Sequence, residues 1–315
     1  MNTKSKLLTM LILGTGAAAC TAILNKSLSV AAASKHLLGS NEESLCFKWR
    51  FGDIHYTKRG SGKPVLLIHS LSSFANSEEW SALLPHLTKE YTVYTLDLLG
   101  CGLSEKPNLT YTNYLYVQLI SDFIKSEIGR RTDVITSGFS SSIALMACSM
   151  APDLFDQLIF INPESIYSSN LYPGKNARIY KLILDTPILG TLIYNISCTR
   201  KAIRHEFMSD YFYNPFAVRD SYIDLFYESA HLGKSPKSFY ASVKCNYTKA
   251  AIATAIKKID NSITILCGDS IPSCDKILEE YKAYNAAVET YKIPRTKQMP
   301  HLEKPDLVCS LIHTM

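Results

Sequence analysis

The chain has 315 residues, enough for one large α/β domain or two smaller ones, and its ordinary composition contains no low-complexity tract and no internal repeat. Its formal charge of +5 is gathered at the start: Lys4, Lys6, Lys26 and Lys35 are the only charged residues among the first forty, and without them 29 Lys and Arg face 28 Asp and Glu. A nearly neutral body with no basic stripe gives nucleic-acid binding no support.

Lys4 and Lys6 precede an uncharged, mostly apolar stretch, Leu7–Leu24, whose length suits one membrane-spanning helix. The reading is a retained anchor over residues 1–24, with residues 7–24 in a lipid bilayer. The lysine pair favours the inner side and leaves the body outside the cytoplasm. Cleavage of a signal peptide at Ala31-Ala32-Ala33, releasing a secreted body, and lipid modification of Cys20 are the alternatives. Residues 25–43 read as a polar tether. Nine scattered cysteines without C-x-x-C spacing form neither a disulfide framework nor a zinc site, and Cys148 and Cys267 sit in apolar runs as core residues do.

From residue 44 the pattern becomes regular. Leu45–Phe51 and Ile54–Arg59, meeting at Gly52-Asp53, predict a hairpin. Val65–His69 is a buried-type strand, and a helix is expected from Ser77 or Glu78 to Lys89. Tyr91–Leu96 is the next strand, and Tyr111–Ile128 has helical spacing. Val134–Ser137 is a strand running into the turn Gly138-Phe139-Ser140 and a helix, and Leu158–Ile161 is a further strand. Residues 164–235 are rich in Tyr and Phe and show no clear strand, which predicts a helical cap inserted over the strand ends. A strand at Ile263–Cys267, a helix near Asp275–Asn285, a strand at Val288–Ile293 and a helix from Pro305 complete residues 236–315. Strands alternating with helices predict an α/β fold, a doubly wound, mainly parallel sheet, with residues 44–163 as its first half. Such sheets bind ligands at the carboxyl ends of their strands, where His69, Asp97, Ser140 and Glu164 fall.

Several motifs come in order. They are Val65-Leu66-Leu67-Ile68-His69-Ser70, Asp97-Leu98-Leu99-Gly100-Cys101-Gly102-Leu103-Ser104, Gly138-Phe139-Ser140, Ile265-Leu266-Cys267-Gly268 and Met299-Pro300-His301-Leu302-Glu303-Lys304-Pro305. Together they resemble the α/β-hydrolase superfamily over roughly residues 45–315, with departures at Ser70, Ser142 and Ile271. The resemblance implies a nucleophile elbow at Ser140 and a catalytic base at His301. A serine hydroxyl needs such a base to accept its proton. The bland alternative for Ser140 is a capping serine at a helix start. The position at which the resemblance places the catalytic acid holds Ile271, so Asp269 is the first candidate and Glu164 the alternative. Asp275 is a third candidate, although it also reads as a helix-start acid, and Glu303 reads as a helix-start acid.

Backbone N–H groups of Ser141 and of Ser70 or Leu71 would form an oxyanion hole. His69 reads as structural, and Asp97 as a brace for its Gly-rich loop. The cap aromatics predict either a roof for an apolar acyl or aryl group or simply a packed helical core. The leading expectation is a serine hydrolase cleaving an ester, thioester or similar acyl bond through an acyl-enzyme. It needs no metal and no organic cofactor. The competing expectation, motivated by the three departures, is a weak or silent hydrolase fold used for binding at a membrane.

Overall fold

Eight strands form a single sheet in the order β1-β2-β4-β3-β5-β6-β7-β8. The computed structural model describes residues 44–314 together with 19, 21–23, 25–28, 30–32 and 36–39. Strands β1 (Ser44–Trp49) and β2 (Gly52–Arg59) pair antiparallel, as the hairpin pattern predicts, and β2 pairs antiparallel with β4 (Tyr91–Leu96). From there β3 (Lys63–Ile68), β5 (Thr132–Ser137), β6 (Phe155–Ile161), β7 (Ser262–Gly268) and β8 (Glu289–Ile293) all run parallel.

The parallel strands read as unbroken apolar runs because both faces of the sheet are covered. Side chains alternate between two cores, since successive residues of a strand point to opposite faces. Leu66, Val134, Phe160 and Ile265 join the core beneath α1 (Asn113–Phe123), α2 (Ser140–Met150) and, later in the chain, the helix Cys274–Tyr284. Leu67, Ile135, Ile159 and Leu266 join the other, with Trp80, Leu83, Val308 and Ile312.

Two helices differ from expectation. The predicted helix from Ser77 to Lys89 is two short turns, Ser77–Trp80 and Leu84–Leu87. Pro85 explains the break: it has no N–H to give to a continuing helix and sits at the start of the second turn. The predicted helix Tyr111–Ile128 starts at Asn113, where the Thr112 hydroxyl caps Leu115 N–H. It closes over Ile124–Ile128, with Gly129 N–H reaching back to Ile124 O at 2.8 Å.

Residues 164–235 contain helices and no strand, in the described chain, as the loss of alternation predicts. They include α3 (Ala177–Asp185), α4 (Leu189–Ser197), α5 (Arg200–Glu206) and α6 (Asp220–His231), and α7 (Pro236–Lys244) follows. An aromatic core of Tyr194, Phe207, Phe212 and Phe226 packs against Phe74 in the loop after β3 and against Met299 and Leu302, tying this cap to the loops at the strand ends. Helices α8 (Cys274–Tyr284) and α9 (Pro305–His313) complete the chain. The stretch Leu7–Leu24 proposed as an anchor lies almost wholly outside the described residues. Among the described residues no helix is long and apolar enough to cross a membrane.

Candidate active site

The loops that follow β3 to β8 meet at one end of the sheet, under the cap. Asn162, in the left-handed region at φ 48°, binds three of them together. Its amide donates to Lys297 O and Gln298 O, both at 2.9 Å, and its carbonyl accepts Gly268 N–H at 2.8 Å. A cavity of about 590 Å³ lies between these loops and the cap. Ser70, Ser137, Gly138, Phe139, Gln298 and Met299 line it from the sheet side, Tyr211 from the cap, and Tyr240 and Val243 from α7.

The turn after β5 has its left-handed residue at Gly138, with φ 55°. Phe139 is already helical, and Ser140 is the first residue of α2. In a strand-to-helix nucleophile elbow the nucleophile occupies the strained turn itself, which exposes its side chain. Here Gly138 has that place. A methyl group added to Gly138 would stand 3.3 Å from Ser70 Cβ and 3.6 Å from Gln298 Nε2, so positions 138, 70 and 298 face one another across the cavity floor.

Ser140 lies two residues further along, at the first position of α2. It is fully buried, and its hydroxyl donates to His69 O at 2.5 Å. Ser141 and Ser142 are likewise committed: Ser141 Oγ meets Thr136 Oγ1 at 2.8 Å, and Ser142 Oγ donates to Phe139 O at 2.9 Å.

His301 is also fully buried, but it does not border the cavity. Its ring lies against Trp80, with centroids 4.6 Å apart, and neither ring nitrogen has a hydrogen-bond partner among the described residues. The nearest charge partner is Glu79 Oε1 at 3.7 Å, itself without a hydrogen bond. Burial pushes the Glu79 carboxyl up to about 8 and holds the His301 imidazole down to about 3. The contact is therefore between a neutral acid and a neutral ring at neutral pH, not an ion pair. Glu79 Oε2 accepts Ser70 N–H at 3.3 Å.

The candidate acids are occupied elsewhere. Asp269 is exposed, and its Oδ1 accepts Arg295 N–H and the Ser270 hydroxyl, both at 2.8 Å. Glu164 holds Lys249 Nζ at 2.5 Å, and burial pushes its carboxyl up despite that cation. Asp275 pairs with Lys292, and Glu303 accepts Lys297 N–H at 3.0 Å. Ile271 packs against the sheet core. The structure thus brings no hydrogen bond between Ser140, His301 and either Asp269 or Glu164.

Two of the three expected oxyanion donors are also spent: Ser141 N–H bonds to Gly138 O at 3.2 Å and Ser70 N–H to Glu79. Leu71 and Phe139 N–H have no acceptor among the described residues, and both residues line the cavity. His69 holds the loop after β4 through Nε2, which accepts Leu98 N–H at 3.0 Å, while Nδ1–H donates to Ser70 O at 2.7 Å. Asp97 braces its loop, accepting Ser77 N–H at 2.7 Å and Leu103 N–H at 2.9 Å. Burial is the largest single influence and opposes its charge, but the hydrogen bond from His55, the neighbouring His55 and His69 rings and Leu103 N–H together outweigh it and lower the carboxyl to about 2. Of the cap aromatics, Tyr211 reaches the cavity, Tyr194, Phe207 and Phe212 fill the cap core, and Tyr172, Tyr180 and Tyr213 are exposed.

Residues 65–311 match the model of the Alpha/beta hydrolase family. The chain belongs to that family. A curated relative, 2-hydroxy-6-oxo-6-(2'-aminophenyl)hexa-2,4-dienoic acid hydrolase of Metapseudomonas resinovorans, is 28% identical over 116 residues, 36% of this chain and 40% of its own length. The soluble epoxide hydrolase of Corynebacterium sp. is 26% identical over 122 residues, 38% of this chain and 42% of its own. The matched region thus spans less than half the length of either relative. The crystal structure of a serine hydrolase involved in carbazole degradation superposes with a TM-score of 0.68 at 17% identity, covering 86% of this chain and 97% of that one. A membrane phospholipase A gives 0.68 at 19% identity, covering 99% and 97%. At these identities the structures share the hydrolase fold and carry no more than that.

Gly138 and Gln298 are the site residues that sequence reading missed. The signal was present: β5 runs through Ser137, so the residue immediately after it, not the third, makes the sharp turn.

Proposed function

We propose that this hydrolase-family protein binds an apolar acyl or aryl small molecule at its strand ends without cleaving it through a serine nucleophile. One observation carries the reading: the elbow position is Gly138, and it faces Gln298. Glycine supplies no nucleophile, and a glutamine amide takes up no proton at neutral pH. Ile271 adds nothing to stabilise a positive charge. Enzymes stripped of a triad retain at most about 10³–10⁴-fold acceleration over water, from the oxyanion hole and binding alone.

What remains of the site suits a ligand. Leu71 and Phe139 N–H offer a carbonyl or carboxylate oxygen two donors, in the manner of an oxyanion hole. Phe74, Phe139, Tyr211 and Met299 give apolar walls. A second cavity of about 340 Å³ shares Gly138, Phe139 and Gln298 with the first, which leaves room for an elongated ligand past the elbow.

The other reading is a serine hydrolase acting through Ser140 and His301 with Asp269 or Glu164, through an acyl-enzyme. The hydrolase names of its relatives favour it. It requires the Ser140 hydroxyl to leave His69 O and the His301 ring to leave Trp80.

Equilibrium binding of p-nitrophenyl butyrate, followed together with p-nitrophenol release, tests the proposal. The expected result is binding without release, weakened at least about tenfold by Val243→Trp, which fills the α7 wall. Release that disappears in Ser140→Ala would overturn the proposal and favour the serine hydrolase.

A further inference from the structure

The cap carries a surface that its own fold leaves bare. Helix α3 exposes Ile179, Leu182 and Ile183, spaced as one helical stripe, and α4 exposes Leu189 and Ile196 two turns apart on one stripe. Leu182 is 70% and Ile196 62% exposed. A helix on the surface of a water-soluble body turns its apolar side inward. Here α3 buries only Ala177, and α4 buries Gly190, Tyr194 and Asn195, so much of the apolar surface points out.

The same segment is basic. Residues 171–201 contain five Lys and Arg, with Asp185 the only acid. Asp185 is already bound by Lys181. Lys175 and Arg178 are exposed and make no ion pair among the described residues. Apolar stripes flanked by free cations are the pattern of a face that settles into an anionic lipid surface.

The chain's own path points the same way. The apolar run Leu7–Leu24 ends one residue before Asn25, and Asn25 is fixed to α4: Asn195 Nδ2 donates to Asn25 Oδ1 at 2.8 Å, and Asn25 Nδ2 to Ile188 O at 3.5 Å. Ile23, 70% exposed, stands at this junction.

We infer that the outer face of α3 and α4 docks onto the surface of an anionic phospholipid bilayer. The inference goes beyond the ligand reading and does not depend on what the elbow does. Leu171, Ser197 and Cys198, from the same stretch of cap, line the main cavity, so a ligand held in lipid has a short route to it.

The test uses the full chain and vesicles of phosphatidylcholine and phosphatidylglycerol, with brominated phosphatidylcholine as quencher. The native Trp49 and Trp80 are buried in the body. Leu182→Trp and Ile196→Trp place a reporter on the face, and Met150→Trp places one at the far end of α2. The expected result is blue-shifted emission, quenched at least twofold, from the two cap reporters and none from position 150. Adding Lys175→Glu and Arg178→Glu lessens that quenching. Cap reporters that stay unquenched while the protein sediments with vesicles would overturn the inference. So would equal quenching at position 150, or a blue shift without lipid that tracks formation of a dimer.

Discussion

Glu79→Gln isolates the buried acid beneath the cavity floor. Folded Glu79 is fully buried and keeps its proton up to about pH 8. An unfolded glutamate releases it near pH 4.3, so between those values the folded state holds the extra proton. Stability falls with pH wherever the folded state binds more protons. At about 1.4 kcal/mol per pH unit, the interval from about pH 6.5 to about pH 8 removes roughly 2 kcal/mol, reduced as the folded group begins to titrate. Buried His301 acts in the opposite sense at lower pH: lowered to about 3, it adds stability as pH rises toward the unfolded value of about 6.5 and little beyond. The interval above pH 6.5 therefore reports on Glu79. Glutamine keeps the shape and an oxygen for Ser70 N–H, and has no proton to release. Urea denaturation at about pH 6.5 and about pH 8 should show the parent losing roughly 2 kcal/mol more than Glu79→Gln. Identical losses in the two proteins would refute the claim that this carboxyl is neutral in the fold.

Three further outcomes follow from the same geometry. Ser140→Ala should leave ligand binding unchanged and lower stability by about 1–3 kcal/mol, because His69 O loses its buried donor; denaturant titration and binding isotherms check both halves. Asp97→Asn replaces a charged acceptor of two N–H groups with one that can satisfy only one side, and should lose about 2–4 kcal/mol. With its pKa lowered to about 2, Asp97 contributes stability above the unfolded value of about 3.9 and loses it as pH falls toward 2; acid titrations of parent and Asp97→Asn should converge there. Gly138→Ser combined with Gln298→His and Ile271→Asp should gain labelling by a fluorophosphonate, since positions 138 and 298 already face each other. A folded triple variant that stays unlabelled would count against that register.

The sheet was largely legible in the sequence, since strands buried on both faces are continuous apolar runs and stand out, as Val65–Ile68 and Ile263–Cys267 do. The cap was legible only as a loss of alternation, because aromatic side chains signal burial without saying against what. The site was legible in place and not in register. A nucleophile elbow is recognised by a serine flanked by small residues, and Ser140 with Gly138 two positions earlier satisfies that. What decides the register is backbone geometry: of the elbow residues only Gly138 sits in the left-handed region, and the one hint in the residue string is that the strand pattern ends at Ser137, immediately before it. The same holds for His301, which resembles a base in sequence and is packed on Trp80 in space. Gln298 drew no notice because an amide is not a catalytic residue type. Its importance comes wholly from facing Gly138.

The most direct measurement of the central claim is exposure of the parent protein, Ser140→Ala and His301→Ala to a fluorophosphonate probe beside a known serine esterase. The site geometry predicts that all three remain unlabelled while the esterase reacts. Labelling of the parent that is lost in Ser140→Ala would contradict it.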